Sequence, residues 1–153
     1  CCFTGHRPDK LGYTEEEIKP LLEKAIDSAI EGGYVTFISG MAKGTDIWAA
    51  EIVLEKKKEN KSLHLVCAIP HPGFINGRSA QERRRYENII NSADKCVLVS
   101  DRCLPGCYQK RNIWMVDRSS EVIAVFNGTK GGTANTINYA KRHGVKIVNV
   151  LER

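Results

Sequence analysis

The feature that most constrains the fold is the alternation of short apolar runs with longer amphipathic stretches along the chain. The apolar runs are rich in Val, Ile, Leu, Phe and Cys and show almost no polar alternation. Runs of this kind predict strands that are buried on both faces, as in a parallel sheet covered by helices. Six such strands are predicted, at residues 1–4, 34–39, 63–69, 95–100, 121–126 and 146–150.

The amphipathic stretches carry recognisable helix start signals. Thr14 and Glu17 form a predicted capping box, in which each side chain accepts the backbone amide of the other residue. Ser79 and Glu82 repeat the pattern before a second helix, and further helices are predicted at residues 45–57, 108–119 and 133–143. This alternation predicts an α/β, Rossmann-like, doubly wound fold with a mainly parallel sheet of about six strands flanked by helices. We expect a single domain over residues 1–153.

Composition narrows the class of protein without indicating a site. Of the 153 residues, 42% are hydrophobic and 27% are charged, which excludes disordered and collagen-like proteins. No apolar run approaches the roughly 20 residues of a membrane-spanning helix, and we expect no membrane partner. The net charge of +5 suits nucleic acid or nucleotide phosphates, but many cytosolic enzymes carry a similar charge.

The six cysteines fall into two groups. Cys103 and Cys107 lie in a loop-like stretch, and their spacing has no histidine or second cysteine pair nearby in the sequence, so no metal site is predicted. Structural thiols and a redox pair are the two open interpretations of these residues. Free cysteines of this kind fit a reducing, cytoplasmic compartment. The other four fall inside predicted buried strands, where thiols act as small hydrophobic side chains: Cys1, Cys2, Cys67 and Cys96.

Three loops that follow predicted strands are rich in glycine and hydrogen-bonding residues, at positions 4–8, 39–46 and 127–136. In an open α/β sheet, ligands bind at the carboxyl ends of the strands, where such loops lead into helix N-termini. Glycine lets the backbone approach a ligand closely, and the free amides of a helix N-terminus favour an anion. We therefore expect a phosphate-bearing ligand here. The alternative for loop 39–46 or loop 127–136, if each is taken alone, is a tight turn with a helix cap and no ligand.

Neither loop 39–46 nor loop 127–136 matches a classical nucleotide-binding motif. The Lys-Ser/Thr ending of a P-loop is missing, and so is a strict G-x-G-x-x-G fingerprint, so classical NAD binding is not predicted. No Ser-His-Asp or Cys-His catalytic arrangement follows from the spacing. His71 comes directly after a predicted strand and either lines the ligand cleft or belongs to a rigid loop.

Four segments together resemble the YpsA family of the SLOG superfamily, which also contains the DNA-processing protein DprA/Smf and the LOG nucleotide hydrolases. They are residues 2–8 (CFTGHRP), 39–46 (SGMAKGTD), 111–117 (RNIWMVD) and 131–136 (GGTANT). The resemblance spans essentially the whole chain, and its most specific part is the opening segment. It implies a Rossmann-like domain that binds a nucleotide or nucleotide-derived ligand, and a homodimer by analogy with the superfamily.

The resemblance to the LOG enzymes is incomplete at the residues that carry their chemistry. Those enzymes cleave the base–ribose bond of a nucleoside monophosphate with an Arg-Lys-x-x-Met run and a Gly-Gly-x-Gly-Thr-x-x-Glu run. Here Asn112 replaces the lysine, and Thr136 stands where the catalytic glutamate is expected. Because a hydroxyl cannot act as a carboxylate acid or base, the resemblance favours binding or sensing over catalysis.

The resemblance to DprA lies in residues 39–46, which are similar to its Ser-Gly-x-Ala-x-Gly-x-Asp loop, and DprA binds single-stranded DNA. A single-strand binder needs a basic groove with stacking aromatic side chains. Only 7% of the residues are aromatic. The basic runs at 56–58, 83–85 and 141–143 lie on predicted helices, where a solvated face is the simpler interpretation. Nucleic acid therefore ranks second to a small phosphorylated ligand as a partner.

The predicted ligand site is built from all three loops and one helix. We expect the phosphate to bind at Gly131, Gly132 and Thr133. Gly40 and Gly44 of the second loop would assist. A hydrolase acting on an N-glycosidic or phosphoester bond is the enzymatic alternative, with His6 or Asp46 as acid or base. No cofactor follows from the motifs beyond a nucleotide-type ligand. The site residues are Gly5, His6, Arg7, Gly40, Gly44, Asp46, Arg111, Gly131, Gly132, Thr133 and Thr136.

Overall fold

A computed structural model describes residues 1–152 and contains a six-stranded sheet. The strands are β1 (Cys2–Gly5), β2 (Thr36–Ser39), β3 (His64–Ile69), β4 (Lys95–Leu98), β5 (Glu121–Val125) and β6 (Lys146–Asn149). They pair in the order β4-β3-β2-β1-β5-β6, and every pair is parallel. The sheet and its flanking helices form a Rossmann-like α/β fold, which confirms the predicted fold class.

The connecting helices are α1 (Pro8–Leu11), α2 (Glu15–Glu31), α3 (Thr45–Lys57), α4 (Ala80–Ser92), α5 (Cys107–Asp117) and α6 (Gly132–Arg142). The sequence pattern does not predict α1, because four residues are too few to show a helical period. Pro8 at its first position and Gly12 with φ +77° after its end are the local signals for this short turn. Within residues 1–152, no helix is long and apolar enough to span a bilayer.

The two predicted capping boxes differ in the structure. The box at α2 is confirmed, because the Glu17 amide donates to Thr14 Oγ1 at 3.3 Å and the Thr14 amide donates to Glu17 Oε2 at 2.7 Å. The box at α4 is half formed: Ser79 accepts the Glu82 amide at 3.2 Å, and the Glu82 carboxylate instead lies 3.4 Å from Lys43 Nζ. A tertiary ion pair thus replaces the second half of the local motif.

Helices cover both faces of the sheet, as a doubly wound fold requires. On one face, Phe37 of β2 belongs to a buried cluster that includes Leu22 of α2. On the other face, Val122 of β5 packs in a second cluster with Met115 of α5 and Ala140 of α6. The central strands β1 and β5 are therefore buried between two helical layers, which is the environment that their apolar runs predict.

The border strand β4 departs from the predicted burial on both faces. Leu98 is 50% exposed, and Cys96 is exposed as well. The interpretation of Cys96 as a buried thiol is therefore wrong. A border strand has a neighbour on one side only, so its side chains are partly uncovered even where the local sequence is apolar.

The strand order places a switch point at β1. After β1 the chain runs outward through β2, β3 and β4, and it then returns to β5 on the opposite side of β1. The carboxyl ends of β1 and β5 therefore flank the crevice at which open α/β sheets bind ligands. The loops that follow these two strands contain the first and third segments predicted as ligand loops.

Candidate functional site

A cleft of about 490 Å³ opens at the carboxyl ends of the strands, with residues of β1 and of the first turn of α6 in its wall. All three predicted loops reach it, joined by the loop between β3 and α4 and by one face of α5. The volume falls within the range of roughly 300–1,000 Å³ that is typical of small-molecule sites. The separate sequence segments therefore converge on one cavity.

Most of the predicted ligand residues line this cleft, namely Gly5, His6, Arg7, Asp46, Arg111, Gly131, Gly132 and Thr133. The other three, Gly40, Gly44 and Thr136, are not part of its wall.

Gly40 and Gly44 have a packing role. A Cβ on Gly40 would lie 2.9 Å from Cζ of Arg111, and a Cβ on Gly44 would lie 2.8 Å from Cδ of Pro8. Gly44 also has a φ of +89°, a left-handed conformation that favours glycine. The second loop is therefore glycine-rich because other parts of the fold pack closely against it.

Gly5 ends β1 directly against the start of α3. A Cβ at this position would lie 2.6 Å from Cβ of Thr45, well inside van der Waals contact. The Thr45 hydroxyl is buried and has no hydrogen-bond partner within residues 1–152. The absence of a side chain at Gly5 thus allows the floor of the cleft and the start of α3 to meet.

The N-terminus of α6 is open to the cleft. Gly131 caps this helix with a φ of +146°, and a Cβ on Gly132 would meet no atom within 4 Å. Nζ of Lys10 lies 3.9 Å from the Cβ position of Gly131. The free amides, the positive end of the helix dipole and the ammonium group together provide a seat for an anion.

Thr136, at the position of the LOG glutamate, is turned into its own helix. Its hydroxyl donates to the Gly132 carbonyl at 2.8 Å, and the side chain is buried. The position therefore supplies no acid or base to the cleft.

Arg111 is the predicted cation of α5, and the structure buries it in the cleft wall with 4% exposure. Its Nη1 donates to the Gly40 carbonyl, and its Nε donates to Oδ1 of Asn112 at 2.8 Å. Burial lowers the pKa of the Arg111 guanidinium, although the nearby Asp46 carboxylate opposes that change. The cation is thus held where water solvates it poorly.

Arg78 is a second buried cation that the sequence analysis misses. It is 9% exposed and lines the cleft, and its Nη2 donates to the Met41 carbonyl at 2.9 Å. Its guanidinium lies 4.5 Å from the ring centre of Phe74 and 5.5 Å from that of Tyr86. The available signal is its place just before Ser79, the N-cap of a helix that follows a strand.

Asp46 faces these two arginines from the first turn of α3. It is 7% exposed and accepts the Ala42 amide at 3.2 Å. Burial raises the pKa of Asp46 above its ordinary value of 3.8, while Arg111, the Ala42 amide and Arg78 oppose the rise. A buried carboxyl with a raised pKa in a cleft is a group that can exchange protons.

His6 is buried at the side of the cleft. Its ring stacks on Phe126 with centroids 5.3 Å apart, and Nε2 lies 3.4 Å from Oγ1 of Thr129. Burial and the nearby Lys10 ammonium lower the pKa of His6 below its ordinary value of 6.5. Both effects favour the neutral form of the imidazole.

The cleft carries a marked excess of positive charge. Lys43 is partly compensated by Glu82, whose carboxylate lies 3.4 Å away. Within residues 1–152, five cationic side chains and one carboxylate line the cleft: Arg7, Lys10, Lys43, Arg78 and Arg111 against Asp46.

Acidic neighbours pair with every lysine of one basic run and with one arginine of a second. Every lysine of residues 56–58 pairs with a carboxylate. In the second run, Arg85 pairs with Glu15 at 2.6 Å and also with Glu51. The expectation of a solvated face describes residues 141–143 as well as Arg83 and Arg84, all of which are exposed. Residues 56–58 and Arg85 form ion pairs instead.

His71 lies behind the cleft wall and contacts two residues that line it. Its ring is edge-on to Phe74 and to Tyr108, and Nε2 lies 3.2 Å from the Tyr108 hydroxyl.

A cluster of three potential metal ligands includes the same histidine. It consists of His71, Cys103 and Cys107, each of which contributes one ligand atom, and these three atoms lie within 4.8 Å of one another. Spacing along the chain misses this cluster, because His71 belongs to the loop after β3. The loop interpretation of Cys107 is also wrong, since this residue begins α5 and is buried.

The chain matches the model of the YspA SLOG family over residues 1–149. It is similar to the SPbeta prophage-derived protein YoqJ of Bacillus subtilis (strain 168), with 33% identity over 118 residues that cover 69% of each chain. It is also similar to a UPF0398 protein of Bacillus thuringiensis (strain Al Hakam), with 27% identity over 154 residues. That match covers 95% of this chain and 84% of the relative.

Two solved structures of DNA processing protein A (DprA) share the fold. The protein from Streptococcus pneumoniae matches with a TM-score of 0.66 and 16% identity, over 95% of this chain and 48% of the other. The protein from Helicobacter pylori, described for its single-stranded DNA binding mode, matches with a TM-score of 0.67 and 19% identity, over 95% and 62%. This chain therefore corresponds to only part of each DprA chain.

Proposed function

The chain belongs to the YspA SLOG family, and on that premise we propose that it binds a nucleotide or a nucleotide-derived phosphorylated ligand in the cleft. The observation that carries the proposal is the pair of buried arginines, Arg78 and Arg111, which face a single carboxylate, Asp46. A buried cation without a matching anion is costly, because burial penalises the charged form. A bound phosphate supplies the missing negative charge and accepts hydrogen bonds from a guanidinium.

The arrangement of the cleft suits the different parts of such a ligand. A phosphate fits the open N-terminus of α6, where Lys10 stands beside the Gly131 position. The rings of Phe74 and Tyr108 line the cleft and offer an aromatic surface for a base. Binding or sensing is favoured over catalysis, because Thr136 uses its hydroxyl inside α6.

Thermal shift and calorimetric titration with a panel of nucleotides, each paired with its nucleoside and including ADP-ribose, test the proposal. We expect a nucleotide to raise the melting temperature while its nucleoside does not. Lys10→Ala should weaken the binding by about tenfold, which corresponds to about 1.4 kcal/mol. Arg84→Ala is the matched control, because it removes an exposed cation outside the cleft and should leave the affinity unchanged.

Two results would contradict the proposal. One is a dissociation constant weaker than about 1 mM for every nucleotide in the panel. The other is a nucleoside that binds as tightly as its nucleotide, since the charge of the cleft would then have no role.

Hydrolysis of an N-glycosidic or phosphoester bond is the second candidate function, and Asp46 is the observation that favours it. Its carboxyl is buried in the cleft with a raised pKa, as suits an acid or base. Wild type should then release free base or phosphate from a nucleotide, and Asp46→Asn or His6→Ala should abolish the release. Equal release by wild type and both variants would assign it to a contaminant.

Single-stranded DNA binding is a third candidate, favoured by the positive cleft and by the fold shared with the Helicobacter pylori protein. It predicts an oligonucleotide affinity that falls steeply with salt. Arg7→Ala should weaken that affinity, because Arg7 is exposed at the cleft rim. Charge reversal at residues 83–85 is a poor test, since Arg85 also holds Glu15 and Glu51.

A further inference from the structure

Two cysteines and a histidine from separate segments meet beside the cleft, outside the residues of the proposed function. His71 comes from the loop after β3, Cys103 from the loop after β4, and Cys107 from the first turn of α5. Their potential ligand atoms all lie within 4.8 Å of one another. We propose that His71, Cys103 and Cys107 bind one zinc ion.

The geometry requires only a small contraction. Zinc–sulfur bonds of about 2.3 Å and zinc–nitrogen bonds of about 2.0 Å place tetrahedral ligand atoms roughly 3.5–3.8 Å apart. His71 and Cys107 are buried, with 7% and 3% exposure, and form the fixed part of the site. Cys103 is exposed in a loop and can close the remaining distance by a side-chain rotation.

The ligand chemistry selects zinc over harder cations. Two thiolates and one imidazole form a soft ligand set, whereas magnesium and calcium prefer oxygen ligands. The Tyr108 hydroxyl, 3.2 Å from Nε2 of His71, helps to fix the orientation of the imidazole ring. On binding, each thiol releases its proton to solvent, and the exposed side of Cys103 leaves a fourth position for water.

Such an ion would join three segments that support the cleft. His71 contacts the rings of Phe74 and Tyr108, and Tyr108 directly follows Cys107 in α5. The metal would therefore stabilise the aromatic wall of the cleft from behind. Because it binds the folded state, it should also raise the melting temperature.

Cobalt titration of the reduced, metal-stripped chain, followed by displacement with zinc, tests the proposal. We expect one cobalt ion per chain, with sulfur-to-cobalt charge-transfer absorption and the intense visible bands of a tetrahedral site. Cys103→Ser should abolish the charge-transfer signal of this site, and His71→Ala should weaken binding by at least about tenfold. Zinc should raise the melting temperature of wild type but not of Cys103→Ser.

Cys96→Ser is the matched control, because it also removes one exposed thiol but lies outside the cluster. It should bind cobalt as wild type does, and far-ultraviolet circular dichroism should show that all variants fold. A dissociation constant weaker than roughly 10 μM for wild type would overturn the proposal. Equal cobalt affinity of wild type and Cys103→Ser would also overturn it. So would a loss of cobalt binding in Cys96→Ser as large as that in Cys103→Ser. A Cys103–Cys107 disulfide in a chain that binds no cobalt when reduced would identify a redox pair instead.

Discussion

At the scale of single residues, the glycines of the predicted ligand loops are present for two different physical reasons. Gly40 has no side chain because Arg111 occupies the space where one would lie. Gly132, in contrast, adjoins open space at a helix N-terminus. A glycine-rich motif in the sequence therefore combines positions that allow close packing with positions that leave room for a ligand.

Gly5→Ala should lower the free energy of unfolding by about 1–3 kcal/mol, the usual cost of overpacking. The added methyl would lie 2.6 Å from Cβ of Thr45 and would push β1 and α3 apart. Urea denaturation measures the change. Gly132→Ala is the control, since open space surrounds the new methyl group. Thr45→Gly should restore part of the stability lost in Gly5→Ala, and equal stability of Gly5→Ala and wild type would contradict the prediction.

At the scale of elements, the capping boxes of α2 and α4 differ in how completely the tertiary structure preserves them. The box at Thr14 is complete, whereas the carboxylate of Glu82 leaves its own N-cap for Lys43. An ion pair between the loop before α3 and the first turn of α4 thus competes with a local hydrogen bond. Helix α2 should therefore depend on its N-terminal cap more strongly than α4 does.

Thr14→Ala should destabilise the protein by about 1 kcal/mol, because the N-terminus of α2 loses the hydroxyl acceptor for the Glu17 amide. Thr14→Ser keeps the hydroxyl and should remain close to wild type. Chemical denaturation of the two variants measures the difference. If they unfold at the same urea concentration, the cap contributes nothing to stability.

At the scale of the whole molecule, ion pairs connect helices that are distant in the sequence. Arg85 of α4 pairs with Glu15 of α2 and Glu51 of α3, so one guanidinium joins three helices. The hydrogen bond from Arg85 lowers the pKa of Glu15 from its ordinary 4.5 to about 2. The stabilisation is present above the unfolded-state pKa and is lost as the pH falls through the folded-state pKa.

Glu15→Gln should therefore lower the free energy of unfolding at pH 7, by about 1 kcal/mol after solvent screening. The difference from wild type should shrink as the pH falls from about 5 towards 2, because wild-type Glu15 then becomes protonated. Denaturation at several pH values measures this convergence. Glu16→Gln removes an exposed neighbouring carboxylate outside the described ion pairs and serves as the control. A difference independent of pH would contradict the prediction.

Prediction from sequence succeeds for structural features that are determined by residues close to one another in the chain. The apolar runs predict all six strands to within two residues at each end, and the bounds of α3 agree with the prediction. Most of the predicted ligand residues meet in one cleft, because the carboxyl ends of parallel strands lie on the same edge. The single domain and the homodimer stay predictions.

The remaining features depend on which segments the strand order brings together. Arg78 reaches the cleft from a loop without a recognised motif, and His71 meets Cys103 and Cys107 across two connections of the sheet. Cys96 is exposed because β4 is a border strand, although its apolar run resembles those of the buried strands. Hydrophobic periodicity, helix caps and glycine-rich loops each involve a few consecutive residues and can be recognised in the sequence. Burial and the convergence of side chains are set by packing between distant segments, which no local pattern encodes.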